Sequence, residues 1–231
     1  MARTASPARL DDIAAAGTSV FGRLGYRRTK MAEVAAAAGM SSGAIYTYVE
    51  SKEALLHVVF ACFFGQYAEG APDLPVKDPG LEETLGMVAR GLRRQAATPV
   101  LRAALDVKSP EDVRAELAAV VDELYSVVDR LWPILAVIES CAVDLPELYE
   151  FYFERRRRSQ LALFATYVEQ RAANGHLAAK ADPELVAQLA TEAVTWFAWH
   201  RLEGFDAGRF PGEGSRQTVV DFVCDALGPT T

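Results

Sequence analysis

The sequence predicts an all-α protein, and three observations support that prediction. Apolar residues recur at helical spacing along almost the whole chain, and no strand-like alternation persists for more than a few residues. Glycine and proline interrupt the periodic stretches at intervals that suit ordinary helices. The chain has 231 residues, of which 51% are hydrophobic and 24% charged, so it can bury a sizeable core. We expect an N-terminal helical domain over residues 1–60 and a larger helical domain over residues 61–231.

The first predicted helix has one apolar face, formed by Leu10, Ile13, Ala14, Gly17, Phe21 and Leu24. Gly25 is expected to end it, because glycine adopts the left-handed backbone conformation at little cost. Thr29 is the predicted N-cap of a short second helix, which Gly39 ends.

Serine residues are predicted to begin the next two helices. Ser41 or Ser42 would cap a third short helix, over about residues 41–49, and Ser51 would cap a fourth that begins at Lys52. Residues 70–80 contain three prolines and two glycines, which indicates a loop. Further helical periodicity occupies residues 81–97, 111–138, 146–174, 183–203 and 215–227.

Charge is distributed unevenly along the chain. Residues 1–60 contain seven basic and five acidic side chains, a net charge of +2, whereas the remainder carries −9. A basic N-terminal segment joined to an acidic body favours a small anion-binding module, although the overall charge of −7 argues against a general polyanion binder.

Two short helices joined by a glycine turn describe a helix-turn-helix, in which the second helix enters the DNA major groove. Ile45 and Val49 lie four residues apart and are predicted to face the core. The opposite face presents small and hydroxyl-bearing residues that suit close approach to a groove: Ser42, Gly43, Tyr46 and Thr47. Tyr46 and Tyr48 could donate hydrogen bonds to phosphate oxygens, and Lys52 adds a cation at a helix N-terminus.

Four motifs occur in order between residues 25 and 55: GxxxT, AxxAG, SxGxxYxY and SKExL. Together they resemble the N-terminal domain of the TetR family of transcriptional regulators, over about residues 8–60. The resemblance implies a homodimeric repressor that binds a double-stranded DNA operator and is released by a small-molecule effector in its C-terminal domain.

The resemblance also implies roles for individual residues. Thr29 and Lys52 match phosphate-contacting positions, Tyr46 matches a tyrosine that contacts the DNA backbone, and the base-proximal positions are Ser41, Ser42, Gly43 and Thr47. Arg28, Lys30 and Tyr48 complete the predicted DNA-binding set. The sequence departs from the family pattern at Val49, where an aromatic residue is usual, and at Tyr48, where histidine is common.

The C-terminal domain is predicted to bind a mostly apolar ligand, with Tyr125, Trp132 and Phe151 as candidate contacts, because such pockets are largely hydrophobic. Pro133 has two interpretations. It either kinks a helix and opens a cavity, or it separates two helices.

The resemblance implies a dimer interface on the segments 146–174 and 183–203, with Trp196, Phe197 and Phe164 as candidate contacts. The alternative is that these residues belong to the core of one chain. The run Arg155 to Arg158 is interpreted as a solvated or dimer-rim face, with Glu154 paired to Arg158.

The remaining sequence features favour a cytoplasmic protein that is not an enzyme. The three cysteines, about 80 residues apart, cannot all pair and form no CxxC motif. No common catalytic or phosphate-binding motif occurs, no cofactor or metal is expected, and no apolar stretch is long enough to cross a membrane. Two alternatives stay open: a family member that has lost DNA binding and only binds a ligand or protein, and an all-α enzyme with a coincidental N-terminal motif.

Overall fold

The computed structural model describes residues 9–68, 70–178, 182–202, 209–210 and 212–228. It confirms the all-α prediction, since the described residues form helices and a single isolated β-bridge. The α-helices are α1 Arg9–Arg28, α2 Met31–Ala37, α3 Lys52–Phe63, α4 Leu81–Gln95, α5 Pro99–Asp106, α6 Val113–Ala142, α7 Pro146–Tyr149, α8 Arg158–Ala173, α9 Pro183–Ala198 and α10 Gly212–Leu227. Short 3-10 helices span Ala44–Thr47 and His200–Leu202, and a π-helix spans Glu150–Arg157.

The chain forms two compact units. Unit 1 comprises Met1–Gln95 with Pro133–Tyr152, and unit 2 comprises Ala96–Trp132 with Phe153–Thr231. The domain boundary predicted at residue 60 lies inside unit 1, and the division into domains 1–60 and 61–231 stays a prediction.

In unit 1, α1 packs against α2 and α3, and α3 packs against α4. Ile13 and Phe21 of α1 and Leu55 and Phe60 of α3 are completely buried. Gly17 allows α1 and α3 to approach closely, because a Cβ atom there would lie 2.6 Å from a side-chain carbon of Val59. This close packing holds the N-terminal helices around one small core.

In unit 2, α8 packs against α5 and α9, and α9 packs against α10. The core includes Leu117, Val121 and Tyr125 of α6, together with Tyr167 of α8 and Val194 of α9. This core also contains an ion pair. The guanidinium of Arg171 is fully buried, and its Nε donates to Glu116 at 2.7 Å.

Several local predictions are confirmed. Gly25 adopts a φ of 74° and breaks the regular helix inside α1, and Ser51 caps α3 by accepting a hydrogen bond of 3.0 Å from the Ala54 N–H. Glu154 pairs with Arg158 at 3.0 Å.

Other local predictions are wrong. The third helix does not span residues 41–49, because only Ala44–Thr47 is helical and it is a 3-10 helix. The N-cap of α2 is Lys30 rather than Thr29. The predicted helical segments 81–97 and 111–138 leave out α5, which begins at Pro99, at the first helical position that proline favours.

Two further corrections concern the segments around residues 133 and 155. Pro133 lies inside the continuous helix α6, so it does not separate two helices. Arg155, Arg156 and Arg157 lie on the π-helix instead of on a regular α-helix, so the four arginines do not follow a spacing of 3.6 residues per turn.

Candidate nucleic-acid interface

The 3-10 helix Ala44–Thr47 presents the predicted hydroxyl-bearing face. Ile45 and Val49 are completely buried, which anchors this element in the core of unit 1. Ser42, Tyr46 and Thr47 are exposed on the opposite side, as the sequence predicts. We call residues 41–48 the recognition element.

Ser41 begins the recognition element. Its Oγ accepts a hydrogen bond of 3.3 Å from the Ala44 N–H, but the N-cap of the 3-10 helix is Gly43 and neither Ser41 nor Ser42, which corrects the expectation. At the other end, the Thr47 hydroxyl donates to the Ala44 carbonyl oxygen at 2.7 Å. The lone pairs and methyl group of Thr47 stay available to a base edge.

A glycine turn joins α2 to the recognition element. Gly39 has a φ of 67°, a conformation that residues with a Cβ atom rarely adopt. The next residue, Met40, donates its N–H to the Ala35 carbonyl oxygen at 2.9 Å, which closes the turn onto α2. The turn is therefore of the helix-turn-helix kind.

The basic residues beside the turn are exposed. Arg28 and Lys30 both face solvent, and the Arg28 Nε donates to the Leu24 carbonyl oxygen at 2.8 Å. The Glu33 carboxylate accepts a hydrogen bond of 3.1 Å from the Lys30 N–H, which stabilises the start of α2. The Lys30 side chain carries no part of this cap and can meet a phosphate.

Thr29 occupies a different place from the one expected. Its side chain is 2% exposed, and its hydroxyl donates to the Gly25 carbonyl oxygen at 2.7 Å. The hydroxyl thus supplies a donor to the Gly25 carbonyl oxygen near the end of α1. A phosphate contact by Thr29 stays a prediction.

Lys52 also stabilises the end of α1. Its Nζ donates to the carbonyl oxygens of Tyr26 at 3.1 Å and Thr29 at 3.4 Å, and lies 4.5 Å from the centre of the Tyr26 ring. Two of the three ammonium hydrogens are occupied, and one remains for a phosphate oxygen.

The same Tyr26 side chain binds α3. Its hydroxyl donates to Glu53 at 2.6 Å. Burial and this hydrogen bond raise the pKa of Tyr26 well above its usual value, and the same bond lowers the pKa of Glu53. The pair therefore stays a neutral phenol beside a carboxylate at neutral pH, which fixes the end of α1 against α3.

Sequence reasoning missed a contact on the end of α1. Asp144 accepts a hydrogen bond from the Arg27 N–H, and the Ser140 hydroxyl donates to the Gly22 carbonyl oxygen. No sequence pattern could reveal these pairs, because more than 100 residues separate their partners.

The candidate ligand contacts do not gather within one unit. Tyr125 is buried in unit 2, where its hydroxyl donates to the Phe197 carbonyl oxygen at 3.0 Å. Trp132 is half-buried and also belongs to unit 2, whereas Phe151 belongs to unit 1. A ligand contact by any of them stays a prediction.

The candidate dimer contacts separate into core and surface. Phe164 is 1% exposed and packs in the core of unit 2, which favours the core alternative that the sequence left open. A dimer contact by Phe164 stays a prediction. Trp196 is partly exposed, and its ring lies 4.7 Å from that of Phe197 in an edge-to-face arrangement.

The part of the chain that the structure describes contains no helix that is long and apolar enough to cross a membrane. Within the same residues, no group of three or more His, Cys, Asp or Glu side chains is placed to hold a metal ion. A cleft of about 390 Å³ lies in unit 1, lined by residues that include Leu10, Asp11, Cys62 and Tyr67.

An all-α chain with a glycine turn, a buried anchor and an exposed hydroxyl-bearing face is a helix-turn-helix protein. Residues 13–59 match the family model described as bacterial regulatory proteins of the tetR family. The resemblance seen in the sequence is therefore confirmed over residues 13–59.

Solved structures share the fold over nearly the whole chain. The ketosteroid transcriptional regulator KstR2 of Mycobacterium tuberculosis is 17% identical, with 98% of each chain covered and a TM-score of 0.60. AibR, in complex with isovaleryl coenzyme A and operator DNA, is 18% identical, with 96% of this chain and 100% of that chain covered and a TM-score of 0.56. A TetR-like transcriptional regulator from Rhodococcus sp. RHA1 is 17% identical, with 97% and 98% covered and a TM-score of 0.53.

These similar structures and the matched family are transcriptional regulators. A comparison with the curated proteins finds no match.

Proposed function

We propose that the protein is a transcriptional repressor that binds a palindromic DNA operator as a homodimer and is released by a small, mostly apolar ligand. The observation that carries the DNA-binding part is the recognition element. Its exposed side bears Ser42, Tyr46 and Thr47, while Ile45 and Val49 hold its other side in the core. A short element anchored in this way can enter a major groove without losing its orientation.

Charge supports the same role. The N-terminal 60 residues carry a net charge of +2 and the rest of the chain −9. Phosphates would be attracted to the N-terminal domain and repelled by the body, which favours docking of DNA on the recognition element. A regulator of this kind acts in the bacterial cytoplasm, where its operator lies.

The proposed dimer surface lies on α9 and α10. Leu185, Leu189 and Trp196 are spaced by four and seven residues, so they share one face of α9, and all three are exposed. Phe222 of α10, which packs against α9, is 64% exposed. An exposed apolar stripe on two adjacent helices suits burial against a second copy. The proposed surface keeps the predicted segment 183–203, which contains α9, and takes α10 in place of the segment 146–174.

The proposed ligand binds among the helices of the C-terminal domain. AibR was solved with both isovaleryl coenzyme A and operator DNA, so a protein of this fold can hold a small molecule and DNA. Ligand and DNA must weaken each other by the same factor if the ligand causes release. A ketosteroid is a mostly apolar molecule to test first, with the fluorescence of Trp132 as one readout. Isovaleryl coenzyme A, whose coenzyme A part is anionic, is the contrasting ligand.

Selection of DNA duplexes from a random pool tests the proposal directly. The wild-type protein should enrich a palindromic sequence whose half-sites lie about 34–36 Å apart or a small multiple of that distance. Thr47→Ala should lose about 1–3 kcal/mol of binding at one base pair of each half-site and little on random DNA. If the protein enriches no duplex at low salt, the alternative of a helical ligand-binding module without DNA binding is favoured.

A further inference from the structure

The end of the recognition element is bonded to a segment outside the family-matched residues. Val49 and Val76 form a parallel β-bridge. The Val76 N–H donates to the Tyr48 carbonyl oxygen at 2.8 Å, and the Glu50 N–H donates to the Val76 carbonyl oxygen at 3.1 Å. Both valine side chains are buried. The family model ends at residue 59, so the helix-turn-helix motif alone does not account for this bridge.

A side-chain hydrogen bond strengthens the attachment. The Glu50 carboxylate accepts a hydrogen bond of 2.8 Å from the Asp78 N–H, and the Asp78 carboxylate accepts one of 2.9 Å from the Gly80 N–H. We call residues 76–80 the strap. Three hydrogen bonds therefore join the strap directly to residues 48–50.

The strap leads directly into α4. Leu81 begins that helix, and the Thr84 N–H donates to the Gly80 carbonyl oxygen at 3.1 Å. Thr84 is buried, and its hydroxyl lies 3.0 Å from the Nδ1 of His57 on α3. The strap is thus held at one end by α4 and at the other by the recognition element.

The recognition element needs an external partner. A 3-10 helix of four residues satisfies few of its own backbone groups, and its C-terminal carbonyls lack donors inside the helix. The Val76 N–H supplies a donor to the Tyr48 carbonyl oxygen, immediately after Thr47.

We propose that the strap positions the recognition element for DNA, so that operator affinity depends on Val76 and on the acceptor oxygen of Glu50. The inference rests on the proposed DNA-binding function. It assigns a positioning role to residues that act through Tyr48 and Thr47.

Two variants at Glu50 separate the hydrogen bond from the charge. Glu50→Ala and Glu50→Gln both remove one negative charge near the DNA, but Glu50→Gln keeps an oxygen that can accept the Asp78 N–H. On a duplex selected by the wild-type protein, Glu50→Ala should bind about three- to tenfold more weakly than Glu50→Gln, as expected for one lost hydrogen bond. On a random duplex of equal length the two variants should bind equally, with equal salt dependence. Asp73→Ala removes an exposed negative charge from the loop 70–80, which contains the strap, and is the control for charge alone.

Hydrogen exchange gives a second readout in the full-length protein without DNA. Val76→Ala loosens the packing of the bridge and should increase the exchange rate of the Glu50 N–H about tenfold or more, while amides in the middle of α1 keep their protection. The same variant should bind the selected duplex more weakly and random DNA as the wild type does.

Equal affinity of Glu50→Ala and Glu50→Gln for the selected duplex would overturn the inference. If Val76→Ala fails to fold, the comparison of Glu50→Ala with Glu50→Gln is sufficient to test the inference. If the wild-type protein selects no duplex at all, the proposed function itself fails, which is a separate outcome from a wild-type protein that selects DNA and is insensitive to the strap.

Discussion

The carboxylate of Asp144 accepts a hydrogen bond of 2.7 Å from the backbone N–H of Arg27, 117 residues earlier in the chain. Arg27 follows the break at Gly25, where a Cβ atom would lie 2.7 Å from the Ser140 carbonyl oxygen. The residues around 140–144 therefore lie directly against the end of α1. The direction in which the chain leaves α1 towards the helix-turn-helix depends on this contact.

We expect Asp144→Ala to lower the free energy of unfolding by about 1–3 kcal/mol, because it leaves the Arg27 N–H without its acceptor. Asp144→Asn keeps an acceptor oxygen and should cost less. Arg27→Ala is the matched control. It removes an exposed side chain 4.0 Å from Asp144 but keeps the backbone donor, so it should change stability by less than about 1 kcal/mol. Urea unfolding measures the stability of all three variants. If Arg27→Ala loses as much stability as Asp144→Ala, the stabilisation does not come from the hydrogen bond between Asp144 and the Arg27 N–H.

Lys52 is expected to stabilise the protein even without DNA. Lys52→Ala removes two hydrogen bonds to the end of α1 and the contact with the Tyr26 ring, so the melting temperature of the free protein should fall. DNA affinity should fall as well, and the slope of log K against log salt should become shallower by about 0.9 if the remaining N–H meets one phosphate. If Lys52→Ala has unchanged thermal stability, Lys52 does not stabilise the free protein, and its role is limited to the phosphate contact.

A charge on the exposed face of α9 should produce monomers. Leu189 is 63% exposed, so Leu189→Glu should fold normally but prevent burial of the stripe against a second copy. Phe164→Ala should behave differently. It opens a cavity in the core of unit 2 and should cost about 3–5 kcal/mol of stability. Light scattering and urea unfolding distinguish the two effects, and a Leu189→Glu protein that stays dimeric would reject this surface.

The ion pair between Arg171 and Glu116 should show strong coupling. Glu116 accepts hydrogen bonds from Arg171 at 2.7 and 3.0 Å and from the Tyr167 hydroxyl at 3.0 Å. Glu116→Ala leaves the buried guanidinium without a carboxylate and should cost about 3–5 kcal/mol. Combining it with Arg171→Met should recover part of that loss in a double-mutant cycle measured by urea unfolding. Purely additive losses would mean that the two side chains contribute independently.

His57 should make stability depend on pH. Burial lowers the pKa of His57 below its usual value of 6.5, so the folded protein favours the neutral imidazole. The unfolded chain binds a proton at a higher pH than the folded chain, and the stabilisation present above pH 6.5 is lost as the pH falls. We expect the free energy of unfolding to decrease between pH 7 and 5.5, and less steeply in His57→Gln. Glu53 does not titrate in this range, because its pKa lies below its usual value of 4.5 and it therefore affects stability only at more acidic pH. Equal pH slopes for the two proteins would exclude His57 as the cause.

Features that depend on neighbouring residues could be predicted from the sequence. The helical periodicity defined the fold class, because residues three and four apart share one helix face. The turn at Gly39, the cap at Ser51 and the two faces of the recognition element are also local. Each follows from the conformation or side-chain chemistry of a few consecutive residues, which are present in the sequence whatever the rest of the chain does.

Only the tertiary structure decided which residues far apart in the chain satisfy one another. Lys52 donates to the end of α1, Asp144 receives the Arg27 N–H, and Val76 bonds to the end of the recognition element. Phe164 has the same apolar character as an interface residue, yet it lies in the core. Periodicity shows that a side chain will be buried, but the partner that buries it, or accepts its hydrogen, is chosen by packing among distant segments.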